Sequence, residues 1–148
     1  MATTDLQAGT VGSTRWARPI VILTAALAPA VVWLIAIGIL DREVTVPESP
    51  GSDTFVDLDF GPVLGASILA VLAGWGLLVL LGRITPKALT IWTVIAAVVL
   101  VVSLPWNPDF TATERLVIST MHLLLGLILI GGLRLTSRHP TGEAPAQA

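Results

Sequence analysis

Four long apolar segments take up most of the 148-residue chain and constrain its fold more than any motif does. They cover about residues 17–40, 62–82, 86–104 and 112–135. A helix that crosses the roughly 30 Å hydrocarbon core of a bilayer needs about 20 apolar residues, and each segment is close to that length or longer. A chain this small cannot bury so much apolar surface in an interior of its own. The segments therefore predict an all-α membrane protein, with a bundle of four transmembrane helices over residues 15–136.

Charged residues lie between the segments and are sorted by sign. The gap at 41–60 holds six carboxylates and one arginine. If all four segments cross the bilayer, six of the eight basic residues share the opposite side: Arg15, Arg18, Arg83, Lys87, Arg134 and Arg138. Because Lys and Arg in short loops favour the cytoplasm, both termini are predicted to be cytoplasmic, in the plasma (inner) membrane of a bacterium. The polar ends, 1–14 and 137–148, are predicted to be disordered cytoplasmic tails.

Local signals mark several helix ends and one loop. Thr111 and Glu114 are spaced as a capping box, which predicts the start of the fourth helix. The outer loop, at 41–61, contains two alternating runs around a segment rich in turn residues. This pattern predicts either a small β-hairpin or an irregular loop. Three tryptophans near predicted helix ends are interpreted as interfacial anchors or as simple lipid contacts: Trp16, Trp92 and Trp106.

His122 is the only ionisable residue well inside a predicted span. Such groups are costly in lipid and usually face the bundle interior, so it is a candidate proton or ligand site. Helical spacing puts Arg115, Ser119, His122 and Gly126 on one stripe, with Glu114 at its outer end. The alternative is that His122 only joins helices by a hydrogen bond. Its candidate partners are Ser67, Ser103, Thr24 and Thr93.

Small residues recur four apart in the second segment. This set comprises Gly61, Gly65, Ala66, Ala70 and Gly74. Rows of this kind let helix backbones approach closely in lipid, so they predict helix packing inside the bundle or, as the alternative, a homodimer face.

Composition excludes several kinds of site. The absence of cysteine rules out disulfides, thiolate metal sites and thiol redox chemistry. One histidine without carboxylates at ligand spacing cannot complete a metal coordination shell, so neither a metal nor a cofactor is expected. The acidic loop is best interpreted as a solvated segment. The expected partners are the lipid bilayer and either a second copy or another membrane protein, and no nucleic acid.

Several short motifs resemble those of a known family. The last third of the chain contains Ser103-Leu104-Pro105, Thr113 and a Met121-His122 pair that leads to Gly132-Leu133. The second and third segments add Gly74-Trp75-Gly76 and Trp92. Over residues 15–136 the chain resembles a small four-helix integral membrane protein family of unknown function, common in actinobacteria. The resemblance implies the fold and implies no activity, cofactor or binding residue.

Three classes of function are consistent with these features. The sequence favours a structural or accessory membrane component, which needs only the bundle. The main alternative is a small transporter or channel that uses the polar stripe around His122. An enzyme is least favoured, since its chemistry would depend on His122 with Glu114 or Arg115 alone. An outward-open cavity that contains His122, Ser119 and Arg115 would favour the second and third classes, whereas dry helix packing around His122 would remove their main support.

Overall fold

The described part of the chain is mostly helical, with four helices and one two-stranded hairpin. The computed structural model describes residues 13–49, 52–106 and 108–137. In chain order the elements are helix α1 (Ser13–Trp33), a π-helical segment (Leu34–Ile39), strands β1 (Thr45–Pro47) and β2 (Phe55–Asp57), and helices α2 (Phe60–Ile84), α3 (Ala88–Val102) and α4 (Ala112–Thr136). The predicted helical class is confirmed. Most of the two predicted tails, residues 1–12 and 138–148, lies outside the described residues. Residues 13–14 belong to α1, and residue 137 directly follows α4.

Three of the helices are long and apolar enough to cross a membrane. They are Trp16–Ile39, formed by α1 and the π-helical segment, together with α2 and α4, and they contain 24, 25 and 25 residues. At about 1.5 Å per residue each exceeds the thickness of a hydrocarbon core. Helix α3, at 15 residues, is shorter than the predicted segment 86–104. It starts after a turn in which the Thr85 hydroxyl accepts a hydrogen bond from the Lys87 amide, and it ends before Pro105, which disfavours helix at the preceding residue.

The outer loop forms the predicted hairpin, although with shorter strands than the alternating runs. Strands β1 and β2 are antiparallel, with Thr45 opposite Asp57 and Val46 opposite Val56. The Leu58 amide extends the pairing by donating to the Val44 carbonyl at 2.9 Å. The indole of Trp33 donates to the carbonyl of Leu58 at 2.6 Å and thereby ties the hairpin to the end of α1.

The helices pack unevenly around the bundle. Helix α1 makes its main contacts with α4 and α2, whereas α3 contacts α2 and α4 more sparsely. A close approach joins α1 to α4 at Gly132, where a Cβ would overlap both γ-methyl groups of Val21. The apolar core has two clusters, one around Trp92 and Leu133 and the other around Val44 and Met121. The second cluster includes the hairpin, so the loop is part of the packed structure.

Helices α2 and α4 both begin at the hairpin end of the molecule. Helix α2 follows β2 after two residues, and the first turn of α4 is hydrogen-bonded to β1 through Glu114 and Thr45. The chain must therefore return from the far end of α2 to the hairpin end before α4 starts. Residues 85–111, with α3 at their centre, make that return.

Candidate functional site

A cavity of about 640 Å³ lies between α2, α3 and α4. Val46 and Leu58 line it from the hairpin, and the lining continues past Ser67 to Gly74 and Trp92. A volume of this size is typical of pockets that hold small organic molecules. Helix α3 contacts its two neighbours more sparsely than α1 contacts α4, and the cavity lies on the α3 side of the bundle.

His122 lines the cavity near the middle of α4. It is the eleventh residue of the helix, about 15 Å along the axis from Ala112. Its ring is half-buried, and Nδ1 lies 2.8 Å from the carbonyl oxygen of Ile118, one turn earlier on the same helix. Within the part of the chain that the structure describes, no hydrogen bond joins His122 to another helix. The interhelical bond considered from the sequence is therefore not formed.

The predicted partners of His122 bond their own helices instead. Ser67 and Ser103 line the same cavity as the imidazole, but their hydroxyl groups donate to Val63 and Leu100. Thr93 likewise donates to the carbonyl of Leu89, and Thr24 is exposed on α1. The structure thus places His122, Ser67 and Ser103 in the wall of one cavity, and each of them forms its hydrogen bond with a backbone carbonyl of its own segment.

The predicted polar stripe only partly faces the cavity. His122 and Gly126 belong to the lining, whereas Ser119 and Arg115 do not. Ser119 is half-buried, and the exposed Arg115 donates from Nη2 to the carbonyl of Phe110 at 3.4 Å. The face of α4 that lines the cavity carries mainly apolar residues, including Met121 and Leu125.

Glu114 has a structural position at the hairpin end and lies outside the cavity lining. Its carboxylate accepts from the amide of Thr111 at 2.7 Å, and the Thr111 hydroxyl accepts from the amide of Glu114, so the predicted capping box is confirmed. The second use of this side chain was not predicted. One carboxylate oxygen also accepts from the amide of Thr45 at 3.0 Å and from its hydroxyl at 2.5 Å. Glu114 therefore starts α4 and holds the hairpin against it.

Four side chains with a nitrogen or oxygen atom line the cavity within the described ranges, and all four use their hydrogen internally. The hydroxyl of Ser67 donates to the Val63 carbonyl at 2.7 Å, and that of Ser103 donates to the Leu100 carbonyl at 2.9 Å. The indole of Trp92 donates to the carbonyl of Gly74 at 2.6 Å.

The imidazole of His122 also uses its hydrogen for a bond to a backbone carbonyl. A carbonyl can only accept, so the contact of Nδ1 with Ile118 requires a hydrogen on Nδ1. In a neutral imidazole the other nitrogen, Nε2, is then an acceptor. With a neutral His122, the described lining presents acceptor atoms from three side chains, and each of its side-chain donors already has a partner.

The charges of the described residues lie away from the cavity. No aspartate, glutamate, lysine or arginine contributes to its lining. Across residues 13–49, 52–106 and 108–137, no three His, Cys, Asp or Glu side chains cluster as metal ligands would. The site can therefore bind an apolar molecule and offer it a few acceptors, while it provides neither a metal ligand set nor a charged partner.

The predicted packing residues on α2 occupy different environments. Gly61 and Gly65 face open space, since a Cβ at either would meet no atom within 4 Å. Ala66 and Ala70 line the cavity. Gly74 alone lies at a close contact, where a Cβ would be 3.2 Å from Leu129 Cδ2.

Two tighter glycine contacts, both on α4, were missed as packing positions. One is Gly132, which meets Val21 of α1, and the other is Gly126, where a Cβ would lie 2.8 Å from Leu100 Cδ2. The adjacent pair Gly131-Gly132 inside a long apolar segment was the signal that could have drawn attention to this helix.

The interpretation of Trp92 as an interfacial anchor or lipid contact was wrong. This side chain is only 1% exposed, and its indole belongs to the core cluster and to the cavity wall. Trp16 and Trp106, in contrast, are largely exposed.

Comparison with known proteins places the chain within a family but adds no activity. Residues 9–139 match a protein family described as "Family of unknown function (DUF6069)". No curated protein and no solved structure matches the chain. The apolar helices are consistent with an integral membrane protein of unknown function.

Proposed function

This chain belongs to the DUF6069 family of unknown function, and we propose that it is a membrane-embedded protein that binds a small apolar molecule in the cavity beside His122. The observation that carries this proposal is the cavity itself, about 640 Å³ in volume and lined almost entirely by apolar side chains. Empty apolar space inside a bundle is unfavourable because its walls lose contacts. A bound molecule restores those contacts, so a cavity of this size favours occupancy.

We propose that the cavity opens to the lipid between α2 and α3. Three residues of these helices support this, since Ala70, Ile95 and Val99 line the cavity and are exposed. Entry by this route would keep an apolar molecule in hydrocarbon throughout, and the residues that line the cavity from the hairpin, Val46 and Leu58, are themselves apolar. We therefore expect the ligand to enter the cavity from the bilayer.

The topology that we propose has four crossings with both termini in the cytoplasm, in the plasma membrane. Three helices have the required length, and α3 contains 15 residues, about 22 Å. The return path from the end of α2 to the start of α4 supports a fourth crossing, because both α2 and α4 begin at the hairpin end. The acidic hairpin and the basic turn at 83–87 support the orientation.

A variant that fills the cavity tests the binding function. Ala70→Phe adds a ring to the cavity wall, and Ala97→Phe adds the same ring to an exposed position of α3 outside the lining. We expect native mass spectrometry of the purified protein to detect a bound apolar molecule in the wild type and in Ala97→Phe. Ala70→Phe should lose it. If all three proteins carry the same complement of bound molecules, the cavity is not the binding site.

The accessory and transport hypotheses differ in the step after binding. An accessory component would only hold the molecule, or present it to another membrane protein, whereas a transporter would release it in the other leaflet or compartment. The cavity containing His122 supports the transport hypothesis more than the sequence did, while the positions of Ser119 and Arg115 outside the lining do not support it. Exchange of a fluorescent lipid-soluble probe between leaflets of proteoliposomes separates the two.

A further inference from the structure

From the hydrogen-bonding groups of the cavity we propose the chemical class of its ligand: a neutral apolar molecule with a hydroxyl group, an alcohol or a phenol, whose O–H donates to Nε2 of His122. This inference rests on the proposed binding function and specifies it further. It depends on which hydrogen-bonding positions in the cavity wall are already used and which are still available.

The available positions are acceptors. Ser67, Ser103 and Trp92 each donate their one polar hydrogen to a backbone carbonyl, and Nδ1 of His122 does the same. These side chains can still offer a ligand the lone pairs of two hydroxyl oxygens and of Nε2. A ligand that carried only acceptors, such as an ether or an ester, would find the side-chain donors of the described lining already bonded to backbone carbonyls.

Among these acceptors Nε2 is the best available one. Buried side-chain nitrogen and oxygen atoms all have hydrogen-bond partners within the described residues, and the structure assigns Nε2 none. It follows that Nε2 retains some exposed surface, and since His122 lines the cavity, we place this surface toward the ligand. A hydrogen bond from a ligand hydroxyl to Nε2 would give a partner to this polar atom near the middle of α4.

The charge distribution favours a neutral donor over a cation. An ammonium ion would also donate hydrogen bonds, but its burial in an apolar site needs a compensating negative charge. No carboxylate of the described residues lines the cavity, and the carboxylate of α4, Glu114, is engaged with Thr45 and Thr111. A hydroxyl group makes the same kind of bond without that desolvation cost.

Two labels make the inference measurable, because the chain contains only two methionines and two histidines. Met121 lines the cavity, so its ¹³C-methyl signal reports occupancy for any ligand. The ¹⁵N signal of His122 Nε2 reports a hydrogen bond to that atom. The second signal of each type, from Met1 or His139, is assigned with the Met121→Leu and His139→Gln variants.

The experiment compares three probes in nanodiscs at equal bilayer mole fractions: 4-nonylphenol, 4-nonylanisole and dodecylammonium. The anisole differs from the phenol only by methylation of the hydroxyl, which removes the donor. We expect the phenol to bind about fivefold more tightly than the anisole, the difference made by one neutral hydrogen bond. We also expect only the phenol to move the Nε2 signal upfield, and dodecylammonium to bind more weakly than the phenol.

A variant pair separates the role of Nε2 from general packing. His122→Phe keeps a ring but removes the acceptor, and it should give the phenol and the anisole equal affinity. Thr120→Val is the matched control. It also removes a side-chain hydrogen bond to the carbonyl four residues earlier, which here belongs to Leu116, but Thr120 lies outside the cavity lining. It should preserve the fivefold preference.

The outcomes distinguish this inference from the binding function on which it rests. Equal affinity of phenol and anisole for the wild type, or tighter binding of dodecylammonium, would overturn the ligand class. If both neutral probes nevertheless bind and Ala70→Phe excludes them, the binding function stands. If no probe moves the Met121 signal, both proposals are wrong.

Discussion

Glu114 and Thr45 are separated by 69 residues and joined by two hydrogen bonds, from the threonine amide and from its hydroxyl to one carboxylate oxygen. The same carboxylate caps the first turn of α4 through Thr111. Since Val46, the residue after Thr45, lines the cavity, this contact positions the hairpin over the cavity end. One side chain therefore connects the start of a helix, the hairpin and the cavity.

Removal of that carboxylate is expected to loosen the hairpin. Glu114→Ala should lower the free energy of unfolding by about 3 kcal/mol, because a charged acceptor of three donors and a helix cap are both lost. In hydrogen–deuterium exchange, the Thr45 and Leu58 amides should exchange faster than in the wild type. Glu48→Ala, at an exposed position after β1, is the control and should change neither quantity. Equal behaviour of the two variants would show that Glu114 does not hold the hairpin.

The contact between α1 and α4 should be sensitive to one methyl group. Gly132→Ala places a Cβ against both γ-methyl groups of Val21, a β-branched side chain with little freedom to move aside. We expect a loss of about 1–3 kcal/mol in the free energy of unfolding, measured in mixed micelles by titration with a denaturing detergent. Gly131→Ala is the neighbouring control. Its Cβ would meet no atom within 4 Å, so stability should be unchanged or rise by up to about 1 kcal/mol. Equal losses in both variants would contradict this contact.

Trp92 should contribute to stability far more than a membrane-facing tryptophan does. Trp92→Phe removes the bond to the Gly74 carbonyl and part of a side chain that is 1% exposed, so about 2 kcal/mol should be lost. Trp106→Phe makes the same chemical change where the indole, 68% exposed, donates to Val101. That control should lose less than about 0.5 kcal/mol. The same detergent titration measures both, and a larger effect at Trp106 would contradict the buried role of Trp92.

Single cysteines test the topology, because the chain has none of its own. Asp53→Cys lies in the hairpin, and Ser137→Cys lies directly after α4. With a membrane-impermeant maleimide applied to intact cells, we expect labelling at position 53 at once and at position 137 only after permeabilisation.

The result depends on α3. Three crossings separate the two positions if α3 spans the membrane, which puts them on opposite sides, whereas two crossings would put them on the same side. Labelling of both positions in intact cells would therefore exclude the fourth crossing, and labelling of position 137 alone would reverse the proposed orientation.

The parts of the structure that the sequence predicted are those governed by neighbouring residues. The start of α4 at Ala112 was predicted from Thr111 and Glu114, which satisfy each other within one turn. The hairpin was one of two alternatives that the alternating runs around a turn segment allowed, the other being an irregular loop, and the structure has the hairpin. Trp92 was misinterpreted because proximity to a helix end does not reveal which face of the helix meets a neighbour.

The candidate site was predicted only in part. His122 was selected because an ionisable group inside an apolar segment is costly wherever it lies. Its neighbours in the site were not predicted, since the stripe through Ser119 and Arg115 assumed that one helix face decides the lining. In the structure, residues of α2, α3 and the hairpin supply most of the wall.

The sequence by itself determined the helical class of this protein, its four helices and His122 as the ionisable residue well inside one of them, and it left a hairpin and an irregular loop as alternatives for the outer loop. These features depend on segment length, residue order and the cost of placing charge in lipid. Only the tertiary structure decided that α3 stands apart from its neighbours and leaves a cavity, and that Glu114 ties the hairpin over its end. The reason is physical: a cavity is set by how side chains of distant segments fill space together, and no single segment contains that information.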